Sequence, residues 1–120
     1  MKWLAVFVGG GLGSMLRFAL SSWLAPITGV FPWATLAANT LAAGIIAWLF
    51  SSNVKDGNEL MWQLAAIGFC GGLSTFSTFS METVQLLRSG QTSLALIYMV
   101  VSVLLSVLLF YFIAQWFQRV

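Results

Sequence analysis

The chain has 120 residues, of which 60% are hydrophobic and only 7% charged. Soluble domains carry roughly a quarter charged residues, so this chain lacks the polar material to face water on all sides. Its five basic residues are scattered and give a net charge of +2, with no run or patch that would suit nucleic acid.

The length allows one domain, and the class is an all-α integral membrane protein, a single four-span membrane domain over residues 1–120. Histidine is absent, which removes a zinc-type cluster, and the single cysteine, Cys70, excludes an intrachain disulfide. Cys70 reads as a small packing residue.

A membrane helix needs about 20 mostly apolar residues, and four segments supply them: 3–24, 33–51, 60–88 and 93–117. The start, MKWLAVFVGGGLGSMLRFAL, imitates a signal peptide with one lysine and then an apolar run. No cleavage is expected, because Arg17 interrupts the run and three more spans follow. Gly9, Gly10, Gly11, Gly13 and Ser14 form a smooth surface for close helix approach. Arg17 is a permanent cation inside the span, worth about 2.5–3.5 kcal/mol against insertion at the centre. It can snorkel toward the segment's far end, pair with Glu82, or line a watery cavity; snorkelling is the simplest single explanation.

The break APITGVFP carries Pro26, Gly29 and Pro32 and leads into the second span. There Thr35 and Asn39 are four apart, hence on one helical face. Asn39 offers two N–H donors and an acceptor that hydrocarbon cannot satisfy. It is either interhelical glue or a donor aimed at an ion pathway.

After the polar stretch SSNVKDGNE, the third segment is too long for a plain span and has Gly71-Gly72 near its middle. Glycine is disfavoured inside helices by about 1 kcal/mol. Followed by LSTFSTFS, which puts Ser74, Thr75, Ser77 and Thr78 where they can bond freed backbone groups, the pair predicts a third helix broken at Gly71-Gly72. Non-helical backbone at membrane depth is tolerated only where it is buried in protein or lines a cavity, and its carbonyls can hold a cation. Phe76 and Phe79, three apart, share a face beyond the break. Such rings usually pack, but their edges carry partial positive charge and suit a small bare anion.

RSGQT is the last turn, with Gly90 as the cap. In the fourth span Tyr98, Ser102 and Ser106 recur every four residues in one hydroxyl stripe, which must face a partner or water. Trp3, Trp23, Trp33, Trp62 and Trp116 fall near segment ends, where amphipathic rings favour the bilayer interface.

Four spans put Lys2, Lys55 and Arg119 on one side and Arg88 on the other, with Arg17 nearer the Arg88 side. A lysine–arginine excess orients membrane proteins, and here it is almost nil. Either the weak bias suffices or the chain inserts both ways, which would allow an antiparallel dimer.

GGLSTFSTFSMET, together with Asn39 in AANTLAAG and with GGGLGSMLRF near the start, resembles the Fluc (CrcB-type) fluoride channels across all four spans. The resemblance implies a fluoride-specific ion channel and not an enzyme. Such a channel would export fluoride passively from the cytoplasm and relieve its toxicity, in a bacterial plasma (inner) membrane. It further implies an antiparallel, dual-topology homodimer in membrane lipid, with two pores and a central structural sodium ion. By that resemblance Gly71 and Ser74 supply backbone carbonyls to sodium. Ser74 stands where many members have threonine, a change that a main-chain ligand survives. Phe76 and Phe79 form the aromatic boxes, Asn39 donates to fluoride, and Tyr98, Ser102 and Ser106 form the polar track. Ser77 and Thr78 stand beside the boxes, at the vestibule.

Two other functions fit a small four-span chain. A small dual-topology multidrug transporter needs a membrane-embedded carboxylate, for which Glu82 is the sole candidate, while the first span carries Arg17 instead. A non-transporting structural subunit would leave the polar stripes as glue.

Overall fold

Continuous apolar stretches with no water to bond their backbone must satisfy it internally, and this chain does so as helix. The computed structural model describes residues 1–26 and 29–118, and the regular elements in it are all helical. They are α1 (Lys2–Leu24), α2 (Trp33–Ser51), the short α3 (Val54–Gly57) and α4 (Glu59–Trp62), a π-helical stretch π1 (Gln63–Cys70), α5 (Gly71–Leu73), α6 (Phe76–Arg88) and α7 (Thr92–Gln118). Four stretches are long and apolar enough to cross a membrane: Lys2–Leu24, Trp33–Ser51, Glu59–Arg88 and Thr92–Phe117. These are the four expected spans, with ends shifted by at most one residue.

An ion pair between Lys2 and Glu59 ties the start of α1 to the start of the third span, on one side of the bundle. Arg119, counted on that side from the sequence, lies outside the described residues. The end of α6 is capped as expected. Gly90 takes φ +78°, its N–H bonds the Leu87 carbonyl at 3.1 Å, and Gln91 N–H bonds the Leu86 carbonyl at 2.9 Å. That is a Schellman arrangement, which needs the left-handed residue glycine supplies most readily.

The helices pair as α1 along π1 and α5, and α2 along α7. The first pairing is backbone against backbone. Gly68 lies against Gly9 and Gly10 of α1, Gly72 against Gly10, and Gly13 against the Phe69–Leu73 backbone, so that small-xxx-small spacing (Gly9/Gly13 and Gly68/Gly72) occurs on both partners. A methyl on Gly9 would fall on the Leu64 carbonyl, one on Gly13 on the Phe69 carbonyl, and one on Gly72 on the Gly10 carbonyl. Gly11 meets nothing within 4 Å, so the smooth surface read from the sequence excludes it. Alanines continue the theme deeper in the bundle, where Ala38, Ala42, Ala66, Cys70 and Leu73 share one buried cluster. A second cluster joins Leu36, Leu86, Ala95 and Tyr98.

The expected break at Gly71-Gly72 needs correction. Both glycines are helical, and Gly71 has the ordinary right-handed φ −64° and ψ −36°. The interruption falls at Ser74 (φ −76°, ψ 154°) and Thr75 (φ −154°, ψ 119°). Gly72 is present for its missing side chain, which lets α1 approach, rather than for conformational freedom. What ends one helix and starts the next is capping. Thr75 accepts from Thr78 N–H at 3.2 Å as the N-cap of α6.

Candidate functional site

Two extended residues inside a membrane span expose backbone groups, and Asn39 on α2 meets them. Thr75 N–H donates to Asn39 Oδ1 at 2.7 Å, and Asn39 Nδ2 donates to the Thr75 carbonyl at 3.3 Å. One amide thus takes both polar groups of one residue, as a neighbouring strand would. Nδ2 carries a second hydrogen that this clamp does not use.

Just before the interruption, the Cys70 carbonyl at the end of π1 and the Gly72 carbonyl in α5 find other donors. The Cys70 carbonyl accepts Ser74 N–H at 2.9 Å and Ser74 Oγ–H at 2.8 Å. The Gly72 carbonyl accepts Arg17 Nε–H at 3.1 Å and Ser14 Oγ–H at 3.4 Å. Arg17 therefore turns inward to the negative end of a half-helix, instead of snorkelling outward as the simplest reading had it. Among the described residues no donor meets the Gly71 carbonyl between them.

A groove of about 590 Å³ runs beside the interruption, walled by α2, the third span and α7. Asn39, Gly71, Ser74, Phe76, Phe79, Ser102 and Ser106 all line it, so seven of the ten residues singled out from the sequence come together. Ser102 is buried, and its hydroxyl has no hydrogen-bond partner. The ring centroids of Phe76 and Phe79 lie 5.7 Å apart at 36°, and Phe76 is 80% exposed, so most of its ring awaits lipid or another chain.

Tyr98 is fully buried behind the groove wall, its ring 5.0 Å from Phe79. Its hydroxyl donates to Glu82 Oε2 at 2.7 Å, not into the groove. Thr35 Oγ1 donates to the other oxygen of Glu82 at 2.8 Å. Glu82 in turn lines a second cavity of about 470 Å³ with Phe31, Trp33, Gln85 and Ser89. Ser77 and Thr78 do not line the groove. Their hydroxyls lie 3.2 Å and 3.1 Å from Thr75 Oγ1, within the cap of α6.

From the sequence Glu82 is a possible partner of Arg17 or a transporter's carboxylate; the fold instead places it between the groove's aromatic wall and the second cavity, bonded to Thr35 and Tyr98. The available signal was an acid well inside the third span, with Thr35 and Tyr98 as spare hydroxyls on the helices to either side. Thr75 was expected to serve freed backbone and does so as a cap.

The family model described as "CrcB-like protein, Camphor Resistance (CrcB)" matches residues 4–114. The chain is 46% identical over 103 residues to "Fluoride-specific ion channel FluC 2" of Bacillus subtilis (strain 168), covering 83% of this chain and 75% of that one. It is 47% identical over 102 residues to "Fluoride-specific ion channel FluC" of Klebsiella pneumoniae (strain 342), covering 83% and 80%. The likeness to "Fluoride-specific ion channel FluC" of Serratia proteamaculans (strain 568) is 41% over 118 residues, 94% of this chain and 93% of the relative. With the four spans accounted for and a match over nearly their whole extent, the chain belongs to the CrcB-like family.

Proposed function

We propose that this chain is a fluoride-specific channel that lets fluoride leave the cytoplasm passively across a bacterial plasma membrane. The observation that carries the reading is the groove. Beside a backbone interruption it gathers an amide donor (Asn39), an unpartnered buried hydroxyl (Ser102), a second hydroxyl (Ser106) and two phenyl rings. The residues along it include no acidic or basic side chain. Fluoride is small and tightly hydrated, so it moves only where N–H, O–H and ring-edge groups replace water. Several neutral donors hold it weakly in turn, where one fixed cation would trap it. An inside-negative potential contributes about 2.3 kcal/mol per charge per 100 mV toward expelling an anion, so no coupling reaction is required.

The groove is open along one side, and only 11% of the apolar window of α7 is buried within one chain. A second copy closing it suits this openness, and the near-balanced basic residues suit an inverted copy. The Gly71 carbonyl fits a shared oxygen site for a monovalent cation. It lies at the negative end of a half-helix and receives no donor among the described residues, and a Cβ added at Gly71 would meet nothing within 4 Å. With Ser74, one chain offers two carbonyls, so a complete oxygen shell needs the partner's pair. Sodium bound there would neutralise the crowded carbonyl dipoles and hold the two interruptions together. The multidrug-transporter alternative rests on Glu82, and both of its oxygens already accept hydrogen bonds from Thr35 and Tyr98.

The test is passive flux from liposomes of purified protein, read with fluoride- and chloride-selective electrodes. Fluoride efflux with chloride retained is the expected result. Comparable chloride release, or no fluoride release from verified dimers, would overturn the reading.

A further inference from the structure

Hydroxyls inside membrane helices ordinarily donate to the carbonyl one turn back. Ser51, Ser80 and Thr83 do this here, at 2.7–2.8 Å from Ala47, Phe76 and Phe79. Among the described residues two buried side-chain polar atoms have no partner at all, the hydroxyls of Ser102 and Thr40. Ser102 lines the groove, whereas Thr40 does not and was not singled out from the sequence.

The packing register relates them. Leu36, Thr40 and Gly44 are four apart on one face of α2. Leu36 packs in one cluster with Ala95 and Tyr98, and a methyl on Gly44 would touch Leu109 at 3.4 Å. Both neighbours of Thr40 on that face therefore meet α7, and Thr40 lies between them on the seam. Ser102 is one turn past Tyr98 and holds the corresponding level on α7. Leaving a buried hydroxyl without a bond is unfavourable, and two at one level of one seam point to a common ligand that accepts from both.

We propose that Thr40 belongs to the conduction pathway, where it and Ser102 donate to one fluoride at the α2–α7 seam, next in line after Asn39. This rests on the channel reading above. The seam's chemistry favours an anion, because the adjacent groove wall offers O–H and N–H donors and no side-chain charge.

The test compares wild-type protein with Thr40→Val, Thr40→Ser, Ser102→Ala and the double variant Thr40→Val/Ser102→Ala. Fluoride efflux is measured at sub-saturating fluoride, with the thermal midpoint in detergent alongside. Thr40→Val keeps the shape and removes the hydroxyl, so the midpoint should hold or rise while efflux falls on the order of tenfold, as for one lost bond to a charged group. Thr40→Ser should recover most of that loss. The double variant should lose little more than the worse single variant, because both hydroxyls serve one ion. Wild-type efflux from Thr40→Val, additive losses in the double variant, or a lowered midpoint that accounts for the lost flux would each overturn the inference while leaving the channel reading intact. A wild-type chain that carries no fluoride would remove both.

Discussion

Replacing Asn39 with aspartate changes one atom and separates the bonds this residue makes. The Oδ1 that accepts Thr75 N–H at 2.7 Å survives, while the Nδ2 donor 3.3 Å from the Thr75 carbonyl becomes a second acceptor oxygen. The Thr75 carbonyl is then unpaired at membrane depth, worth about 1–3 kcal/mol. A carboxylate within the span adds about 2.5–3.5 kcal/mol on insertion scales. Together these reach on the order of 5 kcal/mol, comparable with the whole stability of a modest domain. The same change removes the spare N–H from the groove and puts a negative charge in its place. At neutral pH, Asn39→Asp should lower the thermal midpoint by about 15–30 degrees and reduce fluoride efflux from liposomes by far more than tenfold. Size-exclusion chromatography would show how much dimer remains. A variant with wild-type midpoint and wild-type efflux would refute both the clamp and the pathway role.

Phe76→Ile and Phe79→Ile keep bulk and remove the ring edge, so assembled protein with strongly reduced fluoride efflux is expected from each; normal efflux from both would exclude the aromatic role. Gly72→Ala places a methyl on the Gly10 carbonyl, whereas Gly11→Ala meets nothing within 4 Å. The first should destabilise by about 1–3 kcal/mol or more in thermal unfolding and the second should hold or raise the midpoint, and equal effects would show that the α1 packing is misread. Lysines added repeatedly to the termini should force one orientation and abolish activity, and a second copy biased the other way should restore it. Full activity from a single-orientation population would exclude the inverted partner.

Hydropathy alone made the four spans legible, because a helix crossing lipid must be apolar on nearly every face. The Gly90 cap followed from local chemistry, and the four-residue repeat brought Ser102 and Ser106 to one groove but not Tyr98, whose hydroxyl turns to Glu82 instead. The interruption was displaced because Gly71-Gly72 carries two meanings in sequence. Conformational freedom and close approach both ask for glycine, and only the position of α1 decides between them. Arg17 was misread for a related reason. Its partner is a main-chain carbonyl 55 residues away, and a carbonyl leaves no signature in the sequence. Thr40 stayed invisible because an unpartnered hydroxyl is a property of packing.

The groups most costly to bury in this bundle are the polar atoms of Thr75, the Gly72 carbonyl and the Glu82 carboxylate. Each is met by side chains from another helix: Asn39 for the first, Arg17 and Ser14 for the second, Thr35 and Tyr98 for the third. The demand for internal polar glue is thereby answered at these three points. The second N–H of Asn39 and the Ser102 hydroxyl are surplus to it, and both belong to residues on the same groove. A surplus donor facing lipid destabilises the fold and contributes nothing to packing. A surplus donor facing the groove is placed to replace part of an anion's hydration shell. On the channel reading proposed above, these surplus donors, with no fixed positive charge along the groove wall, would give the path its preference for a small anion.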